Sequence, residues 1–175
     1  MHTISKPTMY NMVSGVFAIF VVVAAIPFVP GAEIGFALLM LFGGKASLLV
    51  YMGMVSALML SFLVARLVPT PILSNCLNWI GLKKASGFVS KIDALAPEER
   101  LDQYAALLPE PVGKLIVKNR YLVLATAFNL PGNTLIGGGG GLAFMAGSSG
   151  LFGFWAYLAV VLCAVAPIPV LFLLM

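Results

Sequence analysis

The chain has 175 residues, of which 61% are hydrophobic and 9% charged, against roughly a quarter charged in a soluble domain. This argues against a water-soluble globular domain and predicts an all-α polytopic membrane protein. The net charge of +4 comes largely from one region: eight of the ten Lys and Arg lie between Arg66 and Arg120. Because they flank apolar spans and alternate with Glu98, Glu99, Asp102 and Glu110, they predict membrane orientation and contact with anionic headgroups rather than nucleic-acid binding.

The first apolar span runs from Asn11 to Val29. Lys6 before it and the small pair Ala24-Ala25 resemble a signal peptide, but the start at Met1 leads to the expectation that the span is retained. It ends in Val29-Pro30-Gly31-Ala32-Glu33, a break followed by more apolar sequence instead of a polar loop. In hydrocarbon an unpaired backbone group costs several kcal/mol, so such a break is expected only where it is buried in protein or lines a wet cavity. Glu33 is the only acidic residue before Asp93. An ionisable group in a membrane segment is a functional-site hypothesis by default, with proton exchange as its chemistry. The competing reading makes Glu33 a first-turn residue facing the positive end of the helix that starts after Gly31.

After the turn at Gly43-Gly44 and a lone Lys45, a second span covers Ser47 to Val68. Gly53, Ala57, Ser61 and Ala65 recur every four residues, so they share a face that another helix can approach closely. The polar centre follows, from Pro69 to Lys118. Phe88, Ile92 and Leu95, then Leu101, Tyr104, Ala105 and Leu108, predict two short amphipathic helices about Pro97. These either lie in the membrane interface with Trp79, Lys83, Lys84 and Lys91, or form a solvated linker. Cys76 and Cys163 show no CxxC spacing, and His2 is the only histidine, so neither a disulfide framework nor a metal site is expected.

The third apolar stretch runs from Tyr121 to Leu130 and on through the glycine run to Ala146, interrupted by Leu130-Pro131-Gly132-Asn133-Thr134. Asn129, Asn133 and Thr134 put amides and a hydroxyl at this break, either to complete a polar cavity or to bond the frayed backbone themselves. Gly137 to Gly141 are five consecutive glycines. Leu142-Ala143 follow where a P-loop needs Lys and then Ser or Thr, which excludes that motif. Gly137, Gly138 and Gly139 either cradle a phosphate with bare amides or allow close packing against the first break. Lys45, Arg66, Lys118 and Arg120 mark span ends, where cations snorkel. Arg120, nine residues before Asn129, is placed to face an anionic substrate. The last span, Leu151 to Met175, carries a second small-residue stripe of Gly153, Ala156, Ala159 and Cys163 before Pro167 and Pro169 bend or end the helix. The two striped helices are expected to pack on each other or on the broken segments, with dimerisation as the alternative use.

Pro27-Phe28-Val29-Pro30-Gly31 with Ile34-Gly35 aligns with Phe128-Asn129-Leu130-Pro131-Gly132 with Ile136-Gly137. Each is followed by a small-residue turn and then a striped helix. The chain therefore divides into a first membrane repeat at 1–68, a cytoplasmic amphipathic linker at 69–117 and a second membrane repeat at 118–175, as two pseudo-symmetric halves. Charge placement puts the linker and the N-terminus on the cytoplasmic side. Paired breaks in corresponding halves point to a substrate site.

On Pro30-Gly31-Ala32-Glu33, on Phe128-Asn129-Leu130-Pro131-Gly132-Asn133 and on the small-residue run from Gly137 to Ala143, the chain resembles the DedA family, also called the VTT or SNARE-associated membrane proteins. The resemblance covers about Val16 to Leu174. It implies re-entrant segments, a bacterial inner-membrane location and transbilayer movement of polyprenyl phosphate or phospholipid, with proton coupling one implication. The two arginines that the family carries around its second Pro-Gly are absent, with Ala127 or Phe128 and Asn133 in their places. This bears on the family's substrate more than on its architecture.

The expected site is therefore Glu33, Pro30, Gly31, Asn129, Pro131, Gly132, Asn133, Thr134, Gly137, Gly138, Gly139 and Arg120. The expected ligand is a membrane lipid, with protons as coupling ions, no cofactor, and homo-oligomer formation through the small-residue faces. A proton-coupled small-molecule or multidrug exporter and a non-transporting scaffold are the alternatives. No catalytic constellation appears, so an enzyme is not expected.

Overall fold

The computed structural model describes residues 6–27, 29–79, 81, 86–87, 90, 94–95, 99, 110–130, 132–133 and 137–175. Among these the chain is all-helical, with α1 at Lys6–Ala25, α2 at Gly31–Phe42, α3 at Gly44–Leu67 and α4 at Thr70–Trp79. After the centre come α5 at Glu110–Asn129, α6 at Gly138–Ser149, α7 at Phe154–Val165 and α8 at Pro167–Leu174. The expected amphipathic pair spanning Phe88 to Leu108 falls mostly outside the described residues.

Both breaks end helices. The first apolar stretch is helical only to Ala25, and α2 begins at Gly31; the third is helical to Asn129, and α6 begins at Gly138. Proline has no amide hydrogen to continue the helical ladder, and the residue before it is pushed toward extended backbone; α1 accordingly stops two residues before Pro27 and α5 two residues before Pro131, while Pro30-Gly31 stand at the start of α2. The lengths then recur: α1 and α5 have 20 residues each, α2 and α6 have 12 each. α5 contains a kink at Asn119, where φ is −131° and ψ is 45°. α7 and α8 form one apolar stretch bent by 40°, where Pro167 and Pro169 withhold the amides that the carbonyls of Cys163 and Val165 would accept.

The 24-residue α3 is the hub and packs against α1, α2, α6, α7 and α8. Its stripe of Gly53, Ala57, Ser61 and Ala65 is buried. Gly53 sits under the ring of Phe20, where a Cβ would come within 2.6 Å of the ring edge. Further along, Gly147 of α6 lies so close to the Phe62 carbonyl that any Cβ would overlap it. Ser61 Oγ donates to the Gly140 carbonyl at 2.7 Å. The stripe thus serves α1 and α6, which are the arms of the two breaks.

The stripe on α7 corrects an expectation. Gly153, Ala156, Ala159 and Cys163 are all exposed, and α7 turns Tyr157, Val161 and Ala164 inward instead. Tyr157 stacks on Phe62 with ring centroids 4.0 Å apart and donates its hydroxyl to the Leu58 carbonyl at 3.2 Å. α7 does pack on α3, but through an aromatic pair and not stripe to stripe.

By length and composition α3 is the one helix among the described residues that is long and apolar enough to cross a membrane, and α7 with α8 qualifies as a second if the bent pair is one span. The outer surface is strongly apolar: Ile19, Leu41, Leu48, Leu67, Leu122 and Trp155 are each 64–78% exposed.

Candidate functional site

The two breaks lie against each other. A Cβ on Gly138 would come within 2.9 Å of the Val29 carbonyl oxygen, and one on Gly140 within 2.8 Å of that of Ala25 and 2.9 Å of that of Ala24. Gly31 is equally tight, against the Cβ of Ala24. The first turn of α6 is thus seated on the carbonyls that end α1 and lead into α2. No side chain longer than hydrogen fits there, which gives the glycine run a steric reason independent of any ligand. Gly137 and Gly138 also need left-handed backbone, with φ of +117° and +68°.

Beside this seam is a cavity of about 70 Å³. Its walls are Ala32, Gly35, Phe36 and Leu39 of α2, Val50, Met54 and Leu58 of α3, Phe128 and Asn129 at the end of α5, Asn133, Gly139, and Ala164, Val165, Ile168 and Pro169 around the α7–α8 bend. Met54 is nine residues from Lys45 and twelve from Arg66, about 13 Å and about 18 Å along the helix axis at 1.5 Å per residue. The cavity is therefore near the middle of α3. Only Asn129 and Asn133 among its 15 lining residues have polar side chains, so the cavity is mainly apolar where a polar one was expected.

The amides hold the breaks together. Asn129 Nδ2 donates to Ala125 O within its own helix and to Ala164 O at the α7–α8 bend, both at 3.0 Å. Tyr51 donates its hydroxyl to Leu162 O at 3.1 Å. Two side chains thus serve carbonyls in the last turn of α7, next to where the prolines remove backbone donors, as non-helical backbone away from water requires. Asn133 is buried, and its Nδ2 donates to Phe128 O at 3.0 Å. Asn129 thus has both amide hydrogens engaged and Asn133 one of its two, so the two amide oxygens and one N–H are the polar atoms these side chains can still offer to a ligand.

Neither half-helix has a side-chain cap. α2 starts behind Pro30 and α6 behind Gly137 without a cap bond, and the first intrahelical bond of α6 is Gly141 N to Gly137 O. The amides of Gly138, Gly139 and Gly140 precede it and belong to the orphan donors of a helix start. One first-turn residue from each helix, Ala32 and Gly139, faces the same cavity. Two positive helix ends therefore border it.

No family model, curated protein or solved structure matches the chain. The family resemblance of the two breaks accordingly rests on their own residues.

Of the residues singled out in the sequence, Asn129, Asn133 and Gly139 come together in the cavity, while Gly31, Gly137 and Gly138 form the seam beside it. Glu33 stands in the first turn of α2 but is exposed and is not part of the cavity wall. Pro30 and Gly132 are exposed, and Pro131 and Thr134 lie outside the described residues. Arg120, about 13 Å along α5 from Asn129, belongs to a separate cavity. Tyr51, Ser61 and Tyr157 had not been singled out for the hydrogen bonds they make. Their signal was a hydroxyl in an otherwise apolar span, which away from water must find a partner.

Proposed function

We propose that this protein is a polytopic membrane transporter that moves an anionic amphipathic lipid across the bilayer, its headgroup passing through the cavity between α2 and α6. The observation that carries the reading is that two uncapped helix N-termini border one cavity near the middle of α3. In broken-helix transporters such ends take the anionic group of the substrate at mid-membrane. At about 70 Å³ the cavity has room for a headgroup fragment and not for acyl chains, which would remain in lipid along the apolar exterior. Lys45 and Arg66 are 21 residues apart on α3, about 31 Å, which matches a hydrocarbon core of about 30 Å. The 12-residue helices that begin at the two breaks support two pseudo-symmetric halves whose relative rocking opens the cavity to either side. Glu33, on the outer side of the first turn of α2, is the group through which a proton gradient acts on that turn.

A second reading, export of small lipophilic cations, is favoured by the apolar wall and by the amide oxygens, which accept hydrogen bonds and attract positive charge. One experiment addresses both. Headgroup translocation of polyprenyl phosphate and of ordinary phospholipids is measured in proteoliposomes, with and without a pH gradient, for wild type and Glu33→Gln. Gradient-dependent movement that is lost in the variant supports the coupled lipid transporter. If folded protein moves neither lipid, that function is wrong, and gradient-driven accumulation of a lipophilic cation would put the exporter in its place.

A further inference from the structure

A second cavity, larger than the one at the breaks, separates α5 from α6. Its volume is about 160 Å³, and it is walled by Arg120, Val123, Leu124 and Ala127 on one helix and by Leu142, Met145, Ala146 and Ser149 on the other. Both sets recur at three- and four-residue intervals, so two helix faces look at each other without closing. Leu151 and Phe152 complete the rim.

That rim is held in place. Arg66 Nη1 donates to Phe152 O at 2.7 Å, Leu151 N donates to Ser149 Oγ at 3.3 Å, and Tyr121 meets Phe152 edge to face with centroids 5.5 Å apart. Arg66 is thereby engaged with a backbone carbonyl. Arg120 is the only charged residue of the lining; its guanidinium rests over the Tyr121 ring, 5.2 Å from the centroid, which leaves its donors available. Outside the rim the apolar surface continues through Leu122 and Met145, exposed at 64% and 45%.

An apolar slot between helices, with one guanidinium at its mouth and apolar surface beyond, is complementary to one class of molecule. We propose that the α5–α6 groove is a binding site for an anionic glycerophospholipid, the first carbons of one acyl chain in the slot and the phosphate on Arg120. At about 160 Å³ the groove takes a short run of methylenes and not a whole chain. Arginine suits the headgroup because its planar fork meets phosphate oxygens two at a time. The mouth lies at the end of α3 that carries Arg66 and at the start of the apolar part of α5, the ends that adjoin the basic central segment. The proposal rests on the membrane reading, but on neither transport nor the cavity at the breaks.

The test is native mass spectrometry of the full chain, released from detergent after equilibration with equimolar dioleoylphosphatidylglycerol and dioleoylphosphatidylcholine. Wild type is expected to retain the anionic lipid about fivefold over the zwitterionic one, the preference that one basic residue near the surface confers. Arg120→Gln should abolish the preference, and Arg120→Lys should restore most of it. Ala127→Leu, which narrows the slot and keeps the charge, should lower retention of both lipids. Equal retention of the two lipids by wild type, or an unchanged preference in Arg120→Gln, would overturn the proposal. Co-flotation with phosphatidylcholine vesicles reports the membrane reading separately, and lipid retention is scored whether or not the protein translocates lipid.

Discussion

The two breaks are written alike, yet they do opposite work. The first supplies acceptors: the carbonyls of Ala24, Ala25 and Val29 form the bed on which α6 starts, and its one charged side chain, Glu33, is turned outward. The second supplies what fits that bed, glycines with no side chain to hold them off, and it buries the amide of Asn133, while Asn129, itself exposed, is bonded to the α7–α8 bend. Similar Pro-Gly sequences thus yield complementary surfaces. The outcome depends on whether the flanking residues are apolar with free carbonyls, as at the end of α1, or glycine and asparagine, as at the start of α6.

The largest effect is expected where the second break is held to α3. Gly147→Leu places carbon atoms on the Phe62 carbonyl, and backbone cannot give way as a flexible side chain can. A loss of about 3 kcal/mol should appear as failure to accumulate folded protein in detergent. Phe62→Ala removes the stacking partner of Tyr157. Such a truncation costs roughly 3–5 kcal/mol in a water-soluble core, whereas in the membrane setting proposed above lipid provides no hydrophobic driving force between helices. About 2 kcal/mol is therefore expected from thermal unfolding in detergent. A drop of about 3–5 kcal/mol would show that the core behaves as in a water-soluble protein.

Asn129→Ala sharpens the comparison itself, because it leaves the Ala164 carbonyl without its donor from α5. A hydrogen bond between membrane helices contributes about 0.6 kcal/mol on average, so the stability change should be small while translocation suffers through the loosened bend. Tyr51→Phe, at the neighbouring Leu162 carbonyl, should match it in stability and leave the cavity wall unchanged. The smallest effects belong to outward positions. Ala156→Leu on the exposed stripe of α7, and Glu33→Gln, should each change stability by less than about 0.5 kcal/mol. A clear loss of thermal stability for Ala156→Leu would indicate that a second copy of the chain covers that stripe.

Much of this architecture was readable from the chain. Prolines stop a helix for local reasons, so the end of α1 ahead of Pro27, the end of α5 ahead of Pro131 and the bend before Pro167 follow from covalent chemistry. The α3 stripe was readable as a close-approach face because its period matches the helix. The matching stripe on α7 was misread: spacing shows that small residues share a face but not that a partner occupies it, and Tyr157, larger and one residue along, took the inward position. The site divided similarly. That the glycine run packs on the first break follows from its lack of side chains, whereas the outward turn of Glu33 depends on how α2 is rolled about its axis. A 12-residue helix that is apolar nearly all round carries little sequence record of that roll.

Passage of an anionic headgroup through the cavity beside the two uncapped helix starts, as proposed above, can be blocked by narrowing that cavity from the α3 side, away from both breaks. Met54 lines the cavity and is partly buried. Met54→Phe is compared with wild type and with Ala156→Leu for the rate of headgroup translocation of anionic lipid in proteoliposomes. The account predicts at least a tenfold slower rate for Met54→Phe in protein that remains folded, and a wild-type rate for Ala156→Leu. Equal rates for all three proteins would place the lipid pathway elsewhere and contradict the account.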